Sequence, residues 1–167
     1  MENSHMVNYP LQVRRFIVLI TGITFLGVSV GVLAMSEENS RLKPCPKSPN
    51  CVSSDLPPEA AKHIAPFVSV DAGEVNSLTA AQPLLAAIAT YMGSREEFHI
   101  VERSDHVLRV EAKSRLLGFV DDIDLQARGD RVFVRSASRV GYSDLGKNRR
   151  RLETMRQVLI EQGLVKP

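Results

Sequence analysis

Nineteen consecutive residues without a charge, FIVLITGITFLGVSVGVLA at positions 16–34, constrain this chain more than any other stretch. A run that long and that uniformly apolar belongs in a bilayer or a translocation channel rather than in the core of a small domain. Arg14 and Arg15 precede it, Glu37 and Glu38 follow it, and it ends on Val32, Leu33 and Ala34. A basic region, an apolar region and a small-residue end describe a secretory signal peptide or, if uncleaved, a membrane anchor helix. With the arginines held on the cytoplasmic side, everything downstream is exported to the periplasm or cell envelope, anchored in the inner membrane if residues 16–34 are retained. The chain then divides into a signal peptide or anchor at 1–34, a Pro-rich linker with a disulfide loop at 35–62, and a folded domain at 63–167.

Export changes the meaning of the cysteines. Cys45 and Cys51 stand in CPKSPNC, with two prolines and an asparagine between them. A turn-rich loop of that size brings two Cα atoms within disulfide range, and an oxidising compartment keeps the bond closed. Free thiols are the alternative. The C-x5-C spacing suits neither a C-x-x-C redox motif nor half of a zinc site, so no metal is expected.

The remaining sequence reads as one α+β domain. AQPLLAAIATYMG is a helix with Leu84, Leu85, Ile88 and Tyr91 on one face, Pro83 in its first turn and Gly93 as its stop. Before it, APFVSV is a short strand and DAGEVNSLT a turn-like stretch. EFHIVER and HVLRVEA alternate apolar and polar residues and are joined at Ser104 and Asp105, a hairpin whose register sets His99 opposite Val110. RLLGFVDDIDLQA is a longer strand with Gly118 as a bulge. Gly129 and Asp130 then turn into RVFVRSA. The expected architecture is a mostly antiparallel four- to five-stranded sheet with two helices packed on one face.

Global charge steers nothing, since the formal net charge is only +2. Local charge is different. Residues 128–151 hold eight Lys/Arg against Asp130 and Asp144, while Asp121, Asp122 and Asp124 cluster on the preceding strand. The final helix runs from Asp144 to Gly163 and carries Leu145, Leu152, Met155 and Leu159 on one side, with Asn148 in the middle of that stripe. A buried amide needs partners, and the backbone of the SASRVGYSD loop is nearest. Arg149 and Arg151 flank the stripe about 80° to either side and Arg150 points away. On the incoming strand Ser136 and Ser138 share one face, Arg135 and Arg139 the other.

Two uses of this constellation compete. In one, guanidiniums and carboxylates satisfy each other and brace the last helix on the sheet. In the other, Arg135, Arg139, Arg149 and Arg151 converge near the helix start on an anionic group, although Asp144 as a capping carboxylate competes for that position. Catalytic signatures are weak: the serines lack a G-x-S-x-G elbow, and no histidine pairs with Ser136 or Ser138. The aspartate trio lacks the spacing of a calcium loop. Export and the absence of aromatic platforms argue against nucleic acid.

CPKSPNCVSS, SRLLGFVDDIDL and RSASRVGYSDLGKNRRRLE, in that order, resemble the DUF1499 family of bacterial envelope and plastid proteins. The resemblance spans Cys45 to the end of the final helix and implies no reaction or catalytic residue. Its motifs coincide with the cysteine pair and with the polar network of Arg115, Asp121, Asp122, Arg135, Ser136, Ser138, Arg139, Asp144, Asn148, Arg149 and Arg151. The expectation is a non-enzymatic envelope binding or accessory domain without a cofactor, its ligand an anionic small molecule, lipid headgroup or glycan. The alternatives are a hydrolase using Asp121 or Asp122 with a neighbouring arginine, and a structural partner in an envelope complex.

Overall fold

The computed structural model of the protein describes residues 41–70, 79–115 and 117–167. The apolar run at 16–34 lies outside the described residues, as does most of DAGEVNSLT. Among the described residues, no helix is long and apolar enough to cross a membrane.

Strands β1 (Cys51–Ser53) and β2 (Phe67–Val68) come first, then helix α1 (Gln82–Gly93). Strands β3 (Phe98–Arg103), β4 (Val107–Lys113), β5 (Val120–Arg128) and β6 (Arg131–Ser138) follow, and helix α2 (Lys147–Glu161) closes the chain. All pairings are antiparallel, in the order β1-β6-β5-β4-β3, with β2 also on β6. The sheet has six strands rather than four or five, because β1 and β2 lie end to end along the same edge of β6. Residues 51–53, within the stretch read as linker, therefore belong to the sheet. Between β1 and β2 the Ser54 hydroxyl accepts from the Val134 N–H at 2.6 Å and donates to its carbonyl at 2.9 Å, standing in for a strand residue.

Period-2 alternation makes the sheet one-sided. Along β5, Asp121, Ile123, Leu125 and Ala127 are buried and the residues between them only half-buried. Register lines up Leu108, Leu125 and Val134 in one inner row and Val110, Ile123, Ser136 and Val52 in the next. Both helices bury their apolar faces in the core cluster that this inner face supplies: Leu84, Leu85, Ile88 and Met92 from α1, Leu152, Met155 and Leu159 from α2. Each such Leu or Met, buried from water, contributes about 1.5–3 kcal/mol.

Several local expectations change. Gly93 is the last helical residue of α1, and Ser94 stops the helix in right-handed geometry, its N–H returning to Met92 and Thr90. Gly118, φ 66°, sits in the turn before β5 rather than bulging within it. The β3–β4 link is one residue longer than read, and a bulge follows Ile100; Ile100 therefore faces Val110, and His99 faces Glu111. Helix α2 begins at Lys147, not Asp144, because Leu145 (φ 53°) and Gly146 (φ 75°) are both left-handed and break the helical path. Its far end is a Schellman cap: Gly163 (φ 69°) donates to Ile160, and Leu164 to Leu159.

Candidate functional site

Where the first turn of α2 meets the sheet, the inner face turns polar. The row after Val110 and Ile123 is Ala112, Asp121 and Ser138, and Ser136 lies one step in from it. Asn148 enters this corner from α2 with no exposed surface. Its amide oxygen accepts from Ser136 Oγ at 2.6 Å and from an Arg151 Nη at 2.9 Å. Its amide nitrogen donates to the Asn50 carbonyl at 3.1 Å and to Ser138 Oγ at 3.2 Å. All four hydrogen-bonding positions of the amide are used. Ser138 in turn donates to Asp121 at 2.5 Å, and Arg151 closes the circuit on the other Asp121 oxygen at 2.6 Å.

The partners of Asn148 are thus two strand hydroxyls, a guanidinium and a carbonyl from the disulfide loop, not the backbone of the 136–144 stretch. The loop participates because Cys45 and Cys51 are joined, with Cα atoms 5.7 Å apart. The bond leads straight into β1, so Asn50 is held at the sheet's edge. Its carbonyl also accepts from the Ser138 N–H at 3.0 Å, and its side chain donates to the Gly141 carbonyl at 2.6 Å. Asn50 was not among the expected network residues. The signal available was an amide fixed next to Cys51 in a loop that two prolines stiffen.

The other network residues scatter. Arg135 and Arg139 lie on the outer face, where alternation sends them. Arg135 binds Asp124 at 3.2 Å; Arg139 binds Asp122 at 2.8 Å and also Glu111. The hydrogen bonds it donates to Asp122 and then to Glu111 hold the Arg139 guanidinium above its ordinary pKa. Among the described residues Arg149 meets no carboxylate; it donates to the Ala61 and His63 carbonyls and ties α2 to the segment between β1 and β2. Arg115 is exposed, 3.9 Å from Glu96. Asp144 does cap α2, accepting from the Gly146 and Asn148 N–H groups at 3.0 and 2.8 Å. Convergence of Arg135, Arg139, Arg149 and Arg151 on one anion is therefore overturned: they serve two faces of the sheet and two flanks of the helix. Leu145, read as part of the buried stripe, precedes the helix and is 82% exposed.

Above the Asp121–Ser138–Arg151 corner opens a groove of about 1040 Å³. Tyr91 in the last turn of α1, the residues around Ser114 and Phe119, the stretch from Val140 to Leu145 and the start of α2 border it. Arg95, Lys113, Arg115, Lys147, Arg150 and Arg151 line it against Glu97, Asp121 and Asp144, an excess of three positive charges. Asp121 is committed to Arg151, and Asp144 to the helix start. Among the described residues, no carboxylate lies within ion-pair distance of Lys113, Lys147 or Arg150. The Arg150 guanidinium donates to the Leu145 carbonyl at 2.7 Å. None of Lys113, Lys147 and Arg150 was expected in a site, since lone cations in solvated positions leave no distinctive pattern in a sequence.

A one-sided antiparallel sheet with two helices, a disulfide-pinned polar corner and a cation-lined groove above it together make an α+β domain. The family described as "Protein of unknown function (DUF1499)" matches residues 41–159, most of the chain, and the chain belongs to that family. No curated protein and no solved structure matches it.

Proposed function

We propose that this is an exported, non-enzymatic binding domain of the cell envelope that holds the anionic group of a small ligand in the groove above Asp121, Ser138 and Arg151. The carrying observation is the set of cations Lys113, Lys147 and Arg150, which line one concavity and, among the described residues, have no carboxylate partner. A pocket of several hundred cubic ångströms with a few convergent polar groups is the usual form of a small-molecule site. The signal-like residues 16–34 and the closed Cys45–Cys51 bond support an oxidising, extracytoplasmic setting. A hydrolytic role for Asp121 or Asp122 gains no support, because each carboxylate already holds a guanidinium.

The test is a thermal-shift series on the full chain with glycerol phosphate and glucuronate, and with choline as the cationic control. At ten times Kd an anion adds about 1.4 kcal/mol, a rise of about 5 °C for a domain this size. Choline gives no rise, and Lys147→Glu combined with Arg150→Glu abolishes the response to anions. Anion shifts that survive this double reversal place the site elsewhere and refute the reading.

A further inference from the structure

We propose that the groove takes a single-chain anionic amphiphile, its head on Lys113, Lys147 and Arg150 and its alkyl chain along Leu117, Phe119, Val140 and Leu145, a proposal that rests on the anion-binding reading above. Seven large apolar side chains are exposed among the described residues, and those four line this one groove. Scattered exposed leucines would mean little, whereas apolar residues gathered on the walls of a concavity mark a site for apolar matter.

Leu145 makes the case sharpest. It is the only non-glycine residue with positive φ among the described residues, and it is 82% exposed. A left-handed backbone disfavours leucine, and water disfavours its side chain, so folding gains nothing from this residue on either count. Backbone strain held at a surface position is a mark of function. Leu145 belongs to the groove wall, and its carbonyl receives the Arg150 guanidinium, so one short segment presents an apolar wall and a cation together. Phe119 and Leu117 approach from the 114–119 loop, one on either side of Gly118, whose φ of 66° lets the chain turn there.

The geometry separates a monomeric amphiphile from other occupants. A bilayer surface is met by apolar residues that project from a convex tip, whereas these four line walls around about 1040 Å³. An extended peptide needs backbone hydrogen-bond partners, yet Asp121, Ser138 and Arg151 at the floor are spent on one another. An alkyl chain asks for no hydrogen bonds, and its charged head needs only the rim cations.

The chain contains no Trp, so Tyr142→Trp, on the adjoining loop, gives a single fluorescent reporter. The full chain in zwitterionic nanodiscs, with empty discs subtracted, is titrated with octanoate, decanoate and dodecanoate below their micelle concentrations, and with dodecyltrimethylammonium. The expected result is saturable binding whose Kd falls about two- to fourfold per added methylene, with the ammonium compound at least tenfold weaker than dodecanoate. Leu145→Gly weakens dodecanoate more than octanoate while leaving the melting midpoint unchanged or raised, which a folding role for Leu145 would not allow. Carboxylate binding without chain-length dependence overturns the alkyl-chain proposal and leaves the anion-binding reading standing. A response only to phosphatidylglycerol vesicles, with none to monomers, makes this end of the domain a membrane-docking surface and overturns the proposal. Silence towards every anion overturns both.

Discussion

Asp121 and Asp122 are adjacent in the chain, and each forms an ion pair with an arginine from further along it, yet strand alternation sends them to opposite faces of the sheet. Asp121 pairs inward with Arg151, their side chains 5% and 13% exposed, within a circuit that includes Ser138 and Asn148. Asp122 pairs outward with Arg139, both more than two-fifths exposed, in a row of crossed charges that continues through Glu111. Water reaches Asp122 and Arg139 freely and Asp121 and Arg151 hardly at all, while Arg135 and Asp124, also on the outer face, are only 11% and 16% exposed. The same pairing chemistry therefore braces the α2–sheet junction at Asp121 and, at Asp122, adds little beyond a polar surface.

The outer face is also well guarded as a surface. Arg109 bridges Glu102 and Asp124, Arg135 shares Asp124, and Arg128 lies over the Phe133 ring at 3.7 Å while binding Asp55 at 2.6 Å. Crossed charges and covered aromatics of this kind leave little for another sheet to pack upon. The inner corner differs in being connected to a cavity: Asp121, Ser138 and Arg151 are at once the end of the core and the floor of the groove. Structural bracing and the candidate binding site share side chains there, which is why the rim rather than the floor supplies the uncommitted charge.

The contrast makes ordered predictions. The largest effect belongs to Asp121→Ala, which leaves Arg151 unpaired in a nearly closed site and costs about 3–5 kcal/mol. Its measure is the denaturant midpoint, and a loss no greater than that of Asp122→Ala would erase the distinction between the faces. Next comes Asn148→Ala, which strands the Ser136 hydroxyl and takes one of two donors from the Asn50 carbonyl, and is expected to cost about 2–3 kcal/mol. It should also raise hydrogen exchange at Ser138, whose N–H donates to that same carbonyl. Smallest is Arg139→Ala, for which no resolvable change of midpoint is expected at physiological salt, with any low-salt difference fading as salt is added. A salt-independent loss there would mean that the outer row supports the fold as well.

Much of the sheet was legible because alternation is a local property. The DDIDLQA segment has to present Ile123 and Leu125 to one side, and once it does, Asp121 goes with them and Asp122 does not. Asn148 was legible for the same reason, standing at helical spacing with Leu152, Met155 and Leu159. Legibility failed where the partner comes from far along the chain. β1 is three residues long and looks like loop until β6 offers it an edge. Arg149 finds the Ala61 and His63 carbonyls, some 86–88 positions away, and nothing in NRRR distinguishes it from Arg151. The start of α2 failed for another reason: Leu145 fits the helical stripe in spacing, but its left-handed backbone precedes the helix and turns it out of the core.

Sequence by itself determined the alternating strands with their final helix, the cysteine pair and the inward amide, because each rests on periodicity or spacing over a few neighbouring residues. Tertiary structure alone decided which arginine meets which acid, that Asn50 completes the buried circuit, and that Lys113, Lys147, Arg150 and four exposed apolar side chains surround one groove. Those outcomes depend on how separated segments are brought together in space, and a charge or a leucine carries the same local signature whether its partner is a carboxylate, a carbonyl or water.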